Sequence, residues 1–296
     1  MHSAPPQQSD TYTPPEIAQR MISGACQKAT ADWGALLILG VLAGSYIAFG
    51  AQLATIVTFD APAFVGTGIT KMLFGAAFSL GLMLVVVGGA ELFTGNNLIV
   101  MGCLDGQVSW GAMLRNWCIV YGSNFLGAML IVLLVLATGL WKTGEGALGL
   151  KALMIANDKV QLGFGEALAR GVLCNWLVCL AVWLATAAKD VVSKMLAIFF
   201  PIMAFVASGF EHSIANMYFI PMGILLKSKL LSAVAAPAEL AATTADLTWD
   251  GFLVHNLLPV TIGNVVGGAF FVGCLYWFAY RTLPRARSVS ARQLSQ

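Results

Sequence analysis

Two eight-residue stretches of this chain repeat each other, and each sets a carboxylate in apolar sequence. Residues 89–96 read Gly-Ala-Glu-Leu-Phe-Thr-Gly-Asn and residues 209–216 read Gly-Phe-Glu-His-Ser-Ile-Ala-Asn; both follow G-x-E-x-x-x-x-N. A charged group at membrane depth costs about 2.5 kcal/mol or more, so it is rarely idle. Glu91 and Glu211 admit two roles: accepting hydrogen bonds from backbone N–H groups freed where a helix breaks, or carrying a proton. The structural role is favoured, because both copies keep the residue. Either role implies broken helices, which are tolerated at that depth only when buried in protein or lining a cavity. Asn96 and Asn216 close the two motifs and are expected to support the same breaks. His212 is different, because its counterpart is Leu92. The plain reading is a neutral, hydrogen-bonded buried ring; the functional one is a group that changes charge near neutral pH. A structural device would tend to recur in both halves, so function is favoured. The hydroxyl of Thr94 can hold the ring in one tautomer. Among the other in-span asparagines, Asn175 is the first choice to line a pore.

Phe78, Leu82, Leu92, Phe93, Val178 and Phe205 flank these polar groups. Such stripes are usually core packing; in a pore they form dry constrictions that block hydrated ions. Lys159 is either an ordinary loop charge or a cation that draws anions to a vestibule. Nothing points to an enzyme. Walker, GxGxxG and HExxH motifs are absent, and Ser213 and His212 are neighbours in sequence, which do not face each other on a helix. An intramembrane enzyme would need a second group converging on His212 or Glu91, and no spaced partner is evident. The six cysteines form no CxxC pair and read as small core residues, so neither metal nor cofactor is expected.

The elements that position these residues follow from composition. Of 296 residues, 58% are hydrophobic and 10% charged, against about a quarter charged in a soluble domain. The chain is therefore an all-α integral membrane protein, and its net charge of +2 gives no reason to expect nucleic-acid binding. Charge-free runs predict six spans at 33–59, 72–104, 116–141, 171–188 (starting near 164), 195–226 and 251–280, with Glu91 and Glu211 the sole interruptions of the second and fifth. Each can cross a core that needs about 20 apolar residues. The N-terminus, with His2 and a Pro-rich run at 4–8, is polar and not a signal peptide. Lys and Arg divide nine inside against seven outside if the N-terminus is cytoplasmic, and the cluster Arg281, Arg285, Arg287 and Arg292 decides for both termini inside. The expected divisions are a cytoplasmic segment 1–29, a transmembrane domain 30–284 and a cytoplasmic tail 285–296. The 230–250 loop is expected outside and solvated, and His255 near the interface.

The repeat extends further. Asn116, Asn124 and Gly127 match Asn256, Asn264 and Gly267 as N-x7-N-x2-G, and Gly40-Val41-Leu42 matches Gly171-Val172-Leu173. Units of three spans must insert with opposite orientations, the inverted plan of many transporters and channels. The prediction is a six-helix bundle of two inverted three-helix repeats, broken in the second and fifth helices. Gly40-x3-Gly44 and Gly263-x3-Gly267 read as sites of close helix packing.

Residues 91–97 (ELFTGNN), 170–183 (RGVLCNWLVCLAVW) and 209–219 (GFEHSIANMYF) resemble signatures of the formate/nitrite transporter family, over about residues 20–285. The resemblance implies an aquaporin-like fold, a homopentamer with one pore per protomer, and a place in the inner membrane. It implies a central histidine at His212 with Thr94 as partner, an entrance lysine at Lys159, and constrictions at Phe78, Leu82, Leu92, Phe93, Val178 and Phe205. The implied activity is channel-like transport of a small monovalent anion, formate first, with nitrite next and then hydrosulfide, acetate or lactate. Proton coupling follows from physics: a bare anion in an apolar constriction faces a desolvation cost of several kcal/mol, which a weak acid escapes by neutralising. His212 either donates that proton or relays it from water. A neutral-solute channel is the reading from another class.

Overall fold

The structure, a computed structural model, describes residues 10–233 and 238–282. His2, the Pro-rich run, and Arg285, Arg287 and Arg292 lie outside the described residues. In chain order the helices are α1 (Pro14–Thr30), α2 (Trp33–Thr58), α3 (Pro62–Gly88), α4 (Phe93–Leu104), α5 (Trp110–Thr138), α6 (Ala147–Val160), α7 (Phe164–Ala187), α8 (Val191–Ala207), α9 (Ser213–Ala233), α10 (Ala238–Thr243) and α11 (Gly251–Thr282). Helices α2, α3, α5, α7, α9 and α11 are long and apolar enough to cross a membrane, and α4 and α8 are shorter apolar helices.

Three helices begin earlier than the charge-free runs suggested, among them α8, which starts at Val191 ahead of Lys194. Helix α3 starts at Pro62, because Lys71 lies inside it and cut the run. Helix α5 starts at Trp110, where the Ser109 side chain accepts the N–H of Ala112, and carries Arg115 in its second turn. Among the described residues of the 230–250 loop, Thr244 and Leu247 are buried rather than solvated, and Lys227 donates to both of their carbonyls. His255 is exposed, with Nε2 3.7 Å from Asp250.

Residues 14–30, expected to precede the membrane domain as a separate segment, form a helix that packs into it. Thr13 and Glu16 cap its start, and its apolar face (Ile17, Ala18, Ile22, Ala25, Ala29) is buried with Ile99, Met101 and Trp183. Small residues let the spans close up, as the sequence indicated. A Cβ on Gly44 would sit 2.0 Å from the Asn124 carbonyl oxygen, and one on Gly267 2.2 Å from that of Val172. Helices α2 and α5 therefore meet backbone to backbone, as do α7 and α11, which is what brings the asparagines of α5 and α11 within reach of the motifs.

Candidate functional site

Helix α3 stops because Gly89 adopts φ 73°, and α8 stops the same way at Gly209, φ 76°. In each case the next N–H reaches five residues back, Ala90 to Val85 and Phe210 to Phe205, closing the last turn. The following residues leave the helix, and a new helix starts at Phe93 in one half and at Ser213 in the other.

The polar groups of these two junctions bond in parallel fashion. The N–H of Glu91 donates to the Leu39 carbonyl at 3.2 Å, and that of Glu211 to the Arg170 carbonyl at 3.3 Å. Asn124 Nδ2 donates to the carbonyls of Gly40 (2.8 Å) and Glu91 (2.9 Å), while its Oδ1 accepts the N–H of Phe93 at 3.0 Å. Asn264 does the same with Gly171 (2.8 Å), Glu211 (2.9 Å) and the N–H of Ser213 (2.9 Å). The backbone groups expected to fall to the glutamates are thus served by Asn124 and Asn264, whose side chains carry both a donor and an acceptor.

The carboxylates bind side chains instead. Glu91 accepts Lys28 Nζ at 2.6 Å and Asn96 Nδ2 at 2.7 Å; Glu211 accepts Lys159 Nζ at 2.8 Å and Asn216 Nδ2 at 2.7 Å. Asn96 and Asn216 also donate to Asn116 and Asn256, which in turn donate to the carbonyls of Lys28 and Lys159. Lys28 escaped the sequence reading. The offset of 131 set by Gly40 and Gly171 carries it onto Lys159 and could have found it.

On this repeated frame the contents differ. His212 is buried, and its Nε2 lies 2.9 Å from Thr94 Oγ1. Its Nδ1 accepts the N–H of Ala215 at 3.0 Å, so the ring caps the first turn of α9. A backbone N–H can only donate. Nδ1 therefore holds no proton, Nε2 carries it, and Thr94 Oγ1 accepts. The Phe205 ring stacks on the imidazole with centroids 6.0 Å apart.

His212 forms part of the wall of a cleft of about 240 Å³ with Phe78, Phe205, Phe219 and the cations Lys71, Lys151, Lys159 and Arg170. Asp158 lies on the same wall; burial pushes its carboxyl above the usual range, against the pull of Lys151 and Lys159. A second cleft, about 210 Å³, is lined by Arg20, Lys28, Gly95, Leu98, Val182 and Thr186. Helix α7 gives Arg170 to the first and Val182 and Thr186 to the second, so the clefts lie towards its opposite ends. Leu82, Leu92, Phe93 and Val178 are buried and line neither. Phe93 packs edge-on against Trp117 and Tyr121, the latter 4.8 Å away. Asn175 is a tie, not a lining: buried, it donates to the carbonyls of Thr94 and Asn264 and to Asn97 Oδ1. Asn216 lines the first cleft, and its Oδ1 is left without a donor.

Among the described residues, six helices long and apolar enough to cross a membrane surround a buried polar junction, with a charged cleft towards each end, the architecture of a multi-pass membrane protein. The formate/nitrite transporter model matches residues 15–278. A "Probable formate transporter" of Methanothermobacter thermautotrophicus is 44% identical over 92% of this chain and 98% of its own. The formate channel FocA of Escherichia coli K12 is 39% identical over 92% and 95%. A solved pentameric formate channel with formate bound, 40% identical, superposes with a TM-score of 0.72 over 83% of this chain and 96% of that one. The chain belongs to the formate/nitrite transporter family.

Proposed function

We propose that this protein carries formate across the cell membrane, with nitrite as the runner-up, by a channel-like, proton-coupled route through each protomer of a homopentamer. It is read as a transporter and not as an enzyme. The two halves are inverted repeats broken at Gly89 and Gly209, both termini are cytoplasmic, and the membrane is the inner one. The observation that carries the reading is the buried imidazole of His212, its Nε2 held on Thr94, at the wall of a cleft with four cationic side chains. The pentameric assembly of the formate-bound channel supports the oligomer.

The cleft's cations concentrate the anion. Beyond them lie Phe78, Phe205 and buried apolar side chains, where a bare carboxylate is costly and a neutral acid is not. Formate, whose conjugate acid has a pKa of about 4, can take up a proton of the inward gradient, relayed by water in the cleft, and cross as formic acid. The imidazole is poorly placed to supply it outright: losing Nε2–H requires a gain at Nδ1, which the Ala215 N–H occupies. His212 then acts as a neutral donor whose bond, passed through Thr94, orients the solute. The leftover Asn216 Oδ1 supports the same view, since an acceptor suits a ligand bearing an O–H.

The test is reconstitution into liposomes, with formate and nitrite competed at two pH values and His212→Phe beside the unmodified chain. Formate flux that rises with an inward proton gradient, and that falls in the variant, is expected. Flux indifferent to the gradient would mark a neutral-solute channel; unaltered flux in the variant would remove His212 from the mechanism.

A further inference from the structure

The frame repeats one element earlier than the spans. With the offset of 131 fixed by Gly40 and Gly171, the buried residues of α1 (Ile17, Ala18, Ile22, Ala25 and Ala29) fall on Leu148, Gly149, Leu153, Ala156 and Val160, all buried residues of α6. The same shift takes Lys28 onto Lys159, each of which binds its own junction glutamate by Nζ and its own asparagine by its carbonyl. It also takes Arg20 onto Lys151. Positions eight apart share a broad helix face, and both members of each pair line one cleft: Arg20 with Lys28, and Lys151 with Lys159. At 1.5 Å per residue the two cations of a pair stand about 12 Å apart along the axis. The inner lysines are neutralised by Glu91 and Glu211. The outer pair makes no such ion pair: Lys151 lines the first cleft with Asp158, on the same face of α6, and Arg20 lies over the Tyr12 ring at 3.5 Å with Glu16 one turn away.

We propose that α1 and α6 open the two repeats, and that Arg20 and Lys151 are matched outer capture sites for a small monovalent anion, one for each face of the membrane. Three crossings separate the two helices, so they serve opposite faces. This rests on the anion-transport reading above.

The experiment measures formate flux in both directions through the full chain in proteoliposomes of uniform orientation. A unit charge about 6–8 Å from a passing anion in water alters its local concentration about two- to threefold. Lys151→Gln should therefore raise KM about that much from the α6 side alone, and Arg20→Gln from the α1 side alone, at low salt. Lys151→Arg and Arg20→Lys should restore the original values. In the unmodified chain, raising salt from 0.01 M to 1 M should raise KM on both faces, by screening that shortens from about 30 Å to about 3 Å; this readout needs no variant to fold. Equal effects on both faces, unaltered KM in either Gln variant, no rescue by the charge-keeping residue, or salt-independent KM would each overturn the proposal. Absence of formate flux in the unmodified chain would instead sink the transport reading, so the two failures are distinct.

Discussion

Replacing Asn264 by Leu removes one side chain of similar size and orphans three buried groups: the carbonyls of Gly171 and Glu211 and the N–H of Ser213. Each unpaired buried polar group costs about 1–3 kcal/mol. Neighbouring losses share relaxation, so about 3–6 kcal/mol is the reasonable sum. Against a typical stability of about 5–15 kcal/mol, that is enough to lower the yield of folded protein. Asn124→Leu orphans the matching carbonyls of Gly40 and Glu91 and the N–H of Phe93, and should cost about the same. Tyr121→Phe is the control: it removes one bond, to Thr261 Oγ1 at 2.8 Å, and should cost about 1 kcal/mol. The assay is the melting temperature in detergent, read from the monodisperse fraction left after heating. The reasoning fails if either Leu variant melts within a degree or two of Tyr121→Phe, or if one is severely destabilised and its counterpart is not.

Lys159→Met strands Glu211 in a pair whose side chains are only 15% and 5% exposed, and should cost about 3–5 kcal/mol. Lys28→Met should cost less, since that pair is 35% and 12% exposed; pairing Lys159→Met with Glu211→Gln should recover part of the loss, and all three are read from melting curves. Thr94→Val leaves the His212 Nε2–H without its acceptor, so formate flux should fall while Thr94→Ser retains it, measured in the liposome assay. Asp105 gives a pH test. Burial raises its carboxyl, but bonds from Arg281, Gln107 and Trp277 outweigh that and hold it below the usual carboxylate range. A folded-state pKa below the unfolded value of about 3.9 means stability fully present above it and lost as pH falls through the folded value. Asp105→Asn should therefore be less stable than the original at pH 6 and lose less than it does between pH 5 and pH 3.

The spans were legible because a charge-free run of about 20 residues is long enough to cross a bilayer and too apolar to sit at ease in water. Their starts were not, since Lys71 and Arg115 sit inside helices whose ends reach past the apolar core. The matched motifs marked where α3 and α8 end, because Gly89 and Gly209 open them. The partners were less accessible. Asn124 and Asn264 were visible as a repeated spacing, but their role as caps depends on α2 and α5, and α7 and α11, approaching to backbone contact, which only the Gly40-x3-Gly44 and Gly263-x3-Gly267 pairs hinted at. Asn175 looked like a pore residue because it is polar and within a span. Its three bonds all run to other helices, and nothing in α7 alone reveals that. Helix α1 was set aside because it precedes the first apolar run, yet each of its five buried residues falls on a buried residue of α6.

A frame repeated twice would give a symmetric centre unless its contents were made unequal. At three successive positions they are: Leu92 stands against His212, Phe93 against Ser213, and Thr94 against Ile214. Each pair joins one polar side chain with one apolar one, so no position is polar in both halves. The first half contributes the hydroxyl of Thr94 and the second the imidazole, and they meet across the repeat at 2.9 Å. Two imidazoles would repel if both were charged, and two leucines would leave no donor at all. One bond between unlike residues leaves a single polar pair in apolar surroundings. Leu92→His should therefore lower formate flux in the liposome assay, although it restores the symmetry of the motif: it buries a second ring among apolar neighbours with no threonine placed to receive it, since the matching position is Ile214.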